Sequence, residues 1–224
     1  MVAHLSQDDT MIEQFRSGLD LHTQGASIAF GVPFDQVDPD YQRKPMKNCN
    51  FGICYGITPA GLLEQFLSMG LTTWDMAGVE GLVRRWFEIY DEIREFMDLQ
   101  ARRVKAHGYV WDMWGRVRFF PEIASAHSHI REKAVREAGN MPVTASAQGT
   151  MKLAMAEIWD GLSMWKDKRP QPVVQLHDEL LFEIHEDIAE EFADYCKAVI
   201  GSVVELLVPI ESDAAWGPEW GNLG

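Results

Sequence analysis

The longest regular pattern of apolar positions lies between Gly78 and His107, where large side chains recur every three or four residues. That period predicts one long amphipathic helix, which ends in a basic cluster and closes at Gly108. Shorter stretches of the same period predict further helices. These cover residues 8–30, 43–55, a segment that opens at Pro59 behind the N-cap Thr58, residues 128–139, a segment after Pro142, and a last helix from Glu186 to about Val203.

The pattern changes at Gly108, after which apolar and polar residues alternate. The alternation predicts a β-hairpin over residues 109–120 that turns near Gly115. A second strand pair is predicted from Val173 to Ile184, with two acidic residues at or beside its turn. The first hundred residues are therefore predicted to be helical and the remainder mixed. The expected fold class is α+β, with a boundary near Gly108.

Composition limits the class of protein. Apolar residues make up 46% of the 224 residues, which excludes wholesale disorder. No apolar run approaches the ~18 residues that a membrane span needs, and the N-terminal residues do not resemble a secretion signal. The three cysteines form no CxxC pair, so a disulfide framework and a cysteine zinc site are not expected. We expect a protein of the reducing cytoplasm, or of a host cytoplasm if viral, without a membrane partner.

The net charge of −14 is unevenly distributed along the chain. Residues 1–40 hold seven acids and one base, and residues 171–224 hold twelve acids and one base. The middle of the chain, residues 41–170, carries 18 of the 20 basic residues against 15 acids. This division is compatible with a basic groove on an acidic body and equally with an uneven solvated surface. Charge alone therefore does not exclude nucleic acid as a partner.

One helical stripe combines cations with aromatic rings. Arg43, Lys47, Phe51 and Tyr55 are each four residues apart, so on one helix they share a face. The cations could hold a triphosphate while a ring stacks on the nucleobase. The alternative is a helix with a basic cap and an aromatic core face, which the spacing does not exclude.

A second candidate site is the acidic turn between the two C-terminal strands. His177, Asp178 and Glu179 stand between apolar strands, an arrangement that can present carboxylates to a divalent ion. An ordinary hairpin with acidic turn residues remains the alternative. A third, weaker pattern places Arg136 and Asn140 one helical turn apart.

Taken together, these motifs resemble family A DNA polymerases, the DNA polymerase I type. The fingers helix of that family has the pattern R-x3-K-x3-F-x3-Y-G, which residues 43–56 fill, and its palm turn is H-D-E, matched by residues 177–179. Further matches follow in the family's order along the whole chain. They are Leu21-His22-Thr23, Gly108-Tyr109-Val110, Gly115-Arg116-Val117-Arg118, Asn140-Met141-Pro142-Val143 and Trp220. The H-D-E form favours a DNA polymerase over the related single-subunit RNA polymerases.

The resemblance implies helical fingers over residues 1–107, including a nucleotide-binding helix at about 43–56, and the C-terminal part of an antiparallel-sheet palm with packed helices over residues 108–224. It implies that His22, Arg43 and Lys47 hold the incoming dNTP. Lys47 could also protonate the leaving pyrophosphate. Phe51 would lie by the sugar and Tyr55 at the template base.

For the palm, the resemblance implies that Asp178 binds Mg²⁺ in a two-metal site and that Glu179 supports it. His177 would lie near the primer terminus, and Arg136 and Asn140 would contact the primer–template duplex. The implied activity is transfer of a dNMP to a primer 3′-hydroxyl by a DNA-directed DNA polymerase.

The sequence departs from the family pattern at three places. Pro45 indicates that the regular helix begins there, so that Arg43 precedes it. Thr144 stands where the family has glutamine, and the sequence leaves open whether Gln148, one turn later, replaces that glutamine. The D-Y-S-x-I-E-L-R segment, which carries the other metal-binding aspartate, would directly precede Met1.

We therefore expect the C-terminal piece of a split or truncated polymerase, inactive alone. Its expected partner is a second polypeptide that carries the thumb and the first palm motif, so that this chain supplies the Mg²⁺ site only in part. The alternative is a non-catalytic remnant that binds nucleotide or DNA.

Overall fold

The computed structural model describes residues 1–222, in which helices dominate and the strands form two small antiparallel hairpins. This mostly helical fold with small sheets fits the expected α+β class in its coarse form. The helices of the described residues are α1 (Val2–Ser6), α2 (Asp9–Arg16), α3 (Leu21–Phe30), α4 (Lys44–Cys54), α5 (Pro59–Ser68), α6 (Met76–Ile89), α7 (Asp91–His107), α8 (Ser128–Gly161) and α9 (Ala189–Ser202). The strands are β1 (Tyr109–Trp111), β2 (Val117–Phe119), β3 (Gln171–Leu176) and β4 (Glu179–Glu183).

The chain divides into two compact units, Met1–Thr144 and a second unit that begins at Ala145. The units are defined by how densely their residues contact one another, and the boundary between them falls within α8. The boundary near Gly108 rests on the resemblance and on the change of pattern, and it stays a prediction.

Three helix boundaries differ from those that periodicity predicts. The helix predicted over residues 8–30 is two helices, because Gly18 takes a positive φ of 67° and Asp20 caps a new helix. The helix predicted from Gly78 to His107 is also two, broken at Tyr90 (φ −122°, ψ 66°), although it does end at Gly108 with φ 77°. Conversely, the segments before and after Pro142 form one helix. A proline removes one main-chain hydrogen bond, and here the helix continues on both sides of it.

The core of the first unit is built from large side chains of several helices. Trp86 and Tyr90 near the end of α6 are fully buried, and their rings lie 4.9 Å apart between centroids. Tyr90 donates a hydrogen bond from its hydroxyl to Oε1 of Gln14, 76 residues earlier. This long-range pairing ties the break between α6 and α7 to the N-terminal helices.

The first hairpin forms as predicted, with Tyr109 opposite Phe119 and Trp111 opposite Val117. Its turn is stabilised by the buried Asp112, whose carboxylate accepts hydrogen bonds from the main-chain N–H groups of Trp114 and Arg116. Gly115 takes a positive φ of 78°, which explains a glycine at this turn.

In the second unit, the C-terminal half of α8 packs with α9 and the second hairpin. Its core residues are Ala154, Ile158, Leu162, Phe192 and Val199. Trp165, Phe182 and Tyr195 pack against this core, with ring centroids 5.0–5.2 Å apart in edge-to-face contacts. Over residues 1–222, no helix combines the length and the apolar character that crossing a membrane requires.

Candidate functional site

The stripe on α4 is exposed, as a ligand-binding surface requires. Phe51 is 54% exposed and Tyr55 is 60% exposed, while Lys47 also lies in solvent. These exposures exclude the alternative of an aromatic core face. The regular helix begins at Lys44 with Pro45 in its first turn, and Arg43 belongs to the π-helical turn Pro39–Arg43 just before it.

Arg43 is held by a carboxylate that the sequence did not single out. Asp20 caps α3 by accepting from Thr23 N, and its two oxygens accept from Arg43 Nε at 2.9 Å and Nη2 at 3.0 Å. Burial pushes the pKa of Asp20 upward, but the hydrogen bonds from Arg43 and Thr23 outweigh it and lower the pKa to about 2. Asp20 therefore stays ionised and orients the guanidinium of Arg43.

His22 lies beside the same stripe, on the first turn of α3. Its ring centroid is 5.6 Å from that of Phe51, and its Nδ1 is 2.9 Å from Asn50 Nδ2. Burial lowers the pKa of His22, and the positive charges of Arg43 and Lys47 lower it further, against the opposing charge of Asp20. The structure thus gathers His22 and the stripe cations on one surface formed by α3 and α4.

The C-terminal end of α4 meets the predicted duplex-binding residue Arg136. Gly56 follows the helix with φ 74°, and a Cβ added there would lie 3.2 Å from Cβ of Arg136. Main-chain hydrogen bonds from Gly56 N to Ile53 O and from Ile57 N to Gly52 O, both 2.9 Å, close the helix end. The positive φ favours glycine here, and an added Cβ would also displace the Arg136 side chain by a few tenths of an ångström.

We expect Gly56→Ala to destabilise the first unit more than Gly70→Ala. Gly70 closes α5 with the same hydrogen bonds and φ 80°, but nothing lies within 4 Å of an added Cβ. The left-handed conformation alone costs about 1–2 kcal/mol for a residue with a Cβ. The displacement of Arg136 adds to this cost only at Gly56. Denaturant unfolding of both variants measures the difference, and an equal or smaller loss for Gly56→Ala would contradict the close approach of Arg136.

The other predicted duplex-binding residue, Asn140, is one turn further along α8. Arg136 is exposed and Asn140 is half-buried, with a buried Oδ1 that accepts no hydrogen bond from the described residues. Thr144, where the resemblance expects glutamine, donates its hydroxyl to the carbonyls of Asn140 and Met141 at 3.3 Å. The Thr144 hydroxyl is therefore hydrogen-bonded to main-chain carbonyls of α8.

The acidic turn lies at the tip of the second hairpin, as its sequence predicts. Leu176 pairs with Glu179, so His177 and Asp178 form a two-residue turn. His177 takes a φ of 54°, a left-handed conformation that favours glycine and is uncommon for histidine. All three residues of the H-D-E sequence are exposed, and among residues 1–222 no basic side chain pairs with Asp178 or Glu179. Both carboxylates are accessible to a cation.

Two glutamines of the same unit donate hydrogen bonds to this turn. Gln148 Nε2 donates to the carbonyl oxygen of His177 at 3.3 Å, and Gln175 Nε2 donates to the same oxygen at 3.0 Å. Gln175 Nε2 also lies 3.5 Å from Gln148 Oε1. Gln148 therefore contacts the acidic turn, a contact that the sequence does not indicate.

The first unit contains a separate group of acids, Asp8, Asp91 and Glu92, whose oxygens lie within 4.8 Å of one another. A hydrogen bond with Asp91, supported by Asp8, raises the pKa of Glu92 to about 7. Burial raises the pKa of Asp8, although Asp8 also caps α2 by accepting from Met11 N at 2.8 Å. The raised pKa values indicate that these acids share a proton, and the group contains none of the predicted metal ligands.

We expect Glu92→Gln to stabilise the protein at pH 8 and to change its stability little at pH 5. Because the folded state holds a proton on Glu92 up to about pH 7, stability falls as pH rises between the unfolded pKa and that value. The amide of Glu92→Gln does not titrate, so the variant does not lose this stability as the pH rises. Thermal unfolding at both pH values measures it, with Glu95→Gln, an exposed acid of the same helix, as control. Equal effects of the two variants at pH 8 would contradict the shared proton.

The predicted site residues thus occur as two groups, each described within its own unit. His22, Arg43, Lys47, Phe51 and Tyr55 lie on or beside α4 in the first unit, where Arg136 approaches the helix end. His177, Asp178 and Glu179 lie at the hairpin turn of the second unit. Sequence reasoning missed Asp20, which pairs with Arg43 across 23 positions, and Gln175, which donates to the carbonyl of His177 two residues later. An N-cap aspartate two residues before His22 is the one local signal for Asp20.

Comparison with known proteins gives a consistent family match. The profile described as "DNA polymerase family A" matches residues 1–222. The "DNA polymerase I, thermostable" of Thermus aquaticus is 34% identical over 220 residues, which cover 98% of this chain and 25% of that protein. The "DNA polymerase I" of Mycobacterium leprae is 33% identical over 221 residues, covering 99% of this chain and 23% of that protein.

A solved structure supports the same match. It is described as the "POL domain of Pol1 from M. smegmatis complex with DNA primer-template and dNTP" and superposes with a TM-score of 0.82 at 32% identity. The alignment covers 94% of this chain and 36% of that one. The chain spans about a quarter of the length of the curated relatives that it matches.

Proposed function

The chain belongs to DNA polymerase family A, and we propose that it carries part of a DNA-directed DNA polymerase site, which transfers a dNMP from a dNTP to a primer 3′-hydroxyl. The observation that carries this proposal is the exposed surface of α3 and α4, where two cations, a histidine and a phenylalanine lie together. The similar solved structure, bound to primer–template DNA and dNTP, supports the same assignment.

We assign residues 1–107 to the fingers and residues 108–224 to the C-terminal part of the palm. The D-Y-S-x-I-E-L-R segment does not occur in these 224 residues. A polymerase site would therefore take its other catalytic aspartate from another polypeptide segment, in the same protein or in a separate chain, and we expect that segment to carry the thumb as well. These residues alone are expected not to extend a primer.

In the fingers, Arg43 and Lys47 neutralise the triphosphate and His22 donates a hydrogen bond to it. The guanidinium of Arg43 is pre-oriented by Asp20, which reduces the ordering cost of phosphate binding. Lys47 has no ion-pair partner among the described residues and can approach the phosphates directly. Lys47 also supplies the proton for the leaving pyrophosphate.

The rings at the other end of the stripe contact the nucleoside. Phe51 lies one helical turn beyond Lys47, so its exposed ring can pack on the sugar while Lys47 contacts phosphate. Tyr55, one further turn away, lies at the template-base position. Arg136, which approaches Gly56 directly after Tyr55, then contacts the backbone of the primer–template duplex together with Asn140.

The H-D-E turn provides the carboxylates that this chain contributes to a Mg²⁺ site. Asp178 and Glu179 are exposed oxygen donors without a basic partner among the described residues, and this donor chemistry suits Mg²⁺. When bound, Mg²⁺ stabilises the charge on the attacking and leaving oxygens. Asp178 is the ligand and Glu179 supports it, while His177 lies near the primer terminus.

The test is binding of Mg·dNTP to the isolated chain, followed by NMR and compared with Mg·tripolyphosphate and with a nucleoside. A polymerase site engages both ends of the nucleotide, so dNTP should bind more tightly than either fragment and shift the signals of both Lys47 and Phe51. Tripolyphosphate that binds as tightly as dNTP, or shifts that spare α4, would contradict the assignment.

A further inference from the structure

Next to the surface formed by α3 and α4, three side chains from three helices are linked by hydrogen bonds. Trp86 of α6 donates from Nε1 to Oδ1 of Asn50 on α4 at 2.7 Å, and Asn50 Nδ2 lies 2.9 Å from Nδ1 of His22 on α3. Trp86 is fully buried and Asn50 is 7% exposed. Water therefore has little access to the side chains of Trp86 and Asn50, whose polar atoms depend on each other and on His22 for hydrogen bonds.

Which group donates and which accepts in each of these hydrogen bonds follows from the buried indole of Trp86. An indole N–H can only donate, so the side chain of Asn50 must present its oxygen to Trp86. The NH₂ group of Asn50 then faces His22 and donates. A ring nitrogen that accepts a hydrogen bond carries no proton, so the proton of the neutral ring lies on Nε2.

We propose that Asn50 is a positioning residue, which holds His22 as the tautomer protonated at Nε2 so that this N–H is the donor to a triphosphate. Trp86 fixes the orientation of the Asn50 amide. The ligand in this statement rests on the proposed function, whereas the tautomer does not. The opposite tautomer would turn a nitrogen lone pair toward the phosphate oxygens and repel them.

The surroundings of the ring favour its neutral form. Burial lowers the pKa of His22, and Arg43 and Lys47 act in the same direction, while Asp20 opposes them. The amide of Asn50 adds a further restraint, because a ring protonated at Nδ1 would oppose one donor with another. The charge of a triphosphate is thus met by Arg43 and Lys47, and His22 contributes one directed hydrogen bond.

The tautomer can be read directly from the protein without ligand by long-range ¹H–¹⁵N correlation of the histidine rings. For the wild-type chain we expect Nε2 of His22 to be protonated and Nδ1 to be bare. The other six histidines of the chain serve as internal references. A ring protonated at Nδ1, or one that mixes both tautomers as a freely solvated ring does, would overturn the proposal, and this measurement needs no variant.

Two substitutions then test which residue sets the tautomer. Trp86→Phe keeps an aromatic ring but removes the N–H, so the Asn50 amide is free to flip and the spectrum should show both tautomers. Asn50→Asp replaces the donor to His22 with an acceptor, so Nδ1 should become protonated. An unchanged His22 spectrum in a folded variant would contradict the role of Asn50. The references should stay constant in both variants.

Measuring dNTP binding distinguishes a failure of this inference from a failure of the proposed function. In Trp86→Phe, which changes no charge, we expect the affinity for Mg·dNTP to fall in proportion to the remaining population of the tautomer protonated at Nε2, by about twofold for an even mixture. If the wild type shows the expected tautomer but no dNTP response at His22, the proposed function fails and the positioning role of Asn50 stands. If dNTP binds but the tautomer is wrong, only the positioning role fails.

Discussion

Asp178→Asn is expected to lower the rate of primer extension by at least about 1,000-fold once the missing aspartate motif is supplied. A carboxylate that holds a catalytic metal ion accounts for several kcal/mol of transition-state stabilisation, and each 1.36 kcal/mol is a factor of ten in rate. An amide keeps the size of the side chain but removes its negative charge. Single-turnover extension of a labelled primer measures the loss.

The same substitution should leave the fold unchanged, because Asp178 is an exposed turn residue without a basic partner among the described residues. Glu183→Gln is the matched control, since it removes one negative charge from the far end of the same hairpin. We expect Glu183→Gln to retain activity. Full extension by Asp178→Asn, or an equal loss in the control, would show that charge at the turn is not the determinant.

Lys47→Ala is expected to weaken Mg·dNTP binding by about 10–100-fold, the range for loss of a charge-assisted hydrogen bond. Lys47 is exposed and lies one turn from Phe51 on the stripe. The control is Lys44→Ala, which removes the same charge from the same helix but off the stripe, and we expect only a small effect from it. The measurement is a dNTP titration of both variants at one salt concentration, since phosphate binding depends on salt.

The two variants separate a local contact from general electrostatic attraction. A site built on the stripe predicts that Lys47 matters much more than Lys44. A diffuse basic surface predicts equal losses for both, and that result would contradict the assignment of α4. A higher salt concentration should then reduce any remaining loss of dNTP affinity in Lys44→Ala, because exposed charges that do not touch the ligand are screened.

Local patterns predicted the parts of the fold whose determinants are local. The hairpin that turns near Gly115 and the strand pair over residues 173–184, with its acidic residues at or beside the turn, were predicted from alternation and turn residues, and both form. Pro45 correctly indicated that the regular part of α4 begins after Arg43. These features depend on neighbouring residues, so a single sequence contains the information that specifies them.

The two helix breaks that periodicity did not predict have different causes. The break between α2 and α3 has a local signal, since Gly18 takes a positive φ and Asp20 is an N-cap, and reading apolar period alone overlooked it. The break at Tyr90 has no glycine or proline, and the apolar stripe continues through it. It is accompanied by the hydrogen bond from Tyr90 to Gln14, which joins residues 76 positions apart. Such a contact exists only after folding.

For the candidate site, the stripe was predictable because it repeats every four residues, whereas its supporting residues were not. Asp20 pairs with Arg43 across 23 positions, and Trp86 reaches Asn50 across 36. Asn50 stands in the Asn50-Phe51-Gly52 motif, but its spacing gives no hint that its amide joins an indole to an imidazole. The partners of a functional side chain therefore had to come from the packed structure.

The measurement that tests the central claim most directly is primer extension with Mg²⁺ and dNTPs by these 224 residues, alone and with a polypeptide that carries the D-Y-S-x-I-E-L-R segment. Transfer needs carboxylates from both sides of the metal site, and misplacement of about 1 Å can already cost ~100-fold. We predict no extension by the chain alone and extension by the complex. Robust extension by the chain alone would contradict the account, as would an inactive complex that forms in sedimentation and binds both primer–template and dNTP.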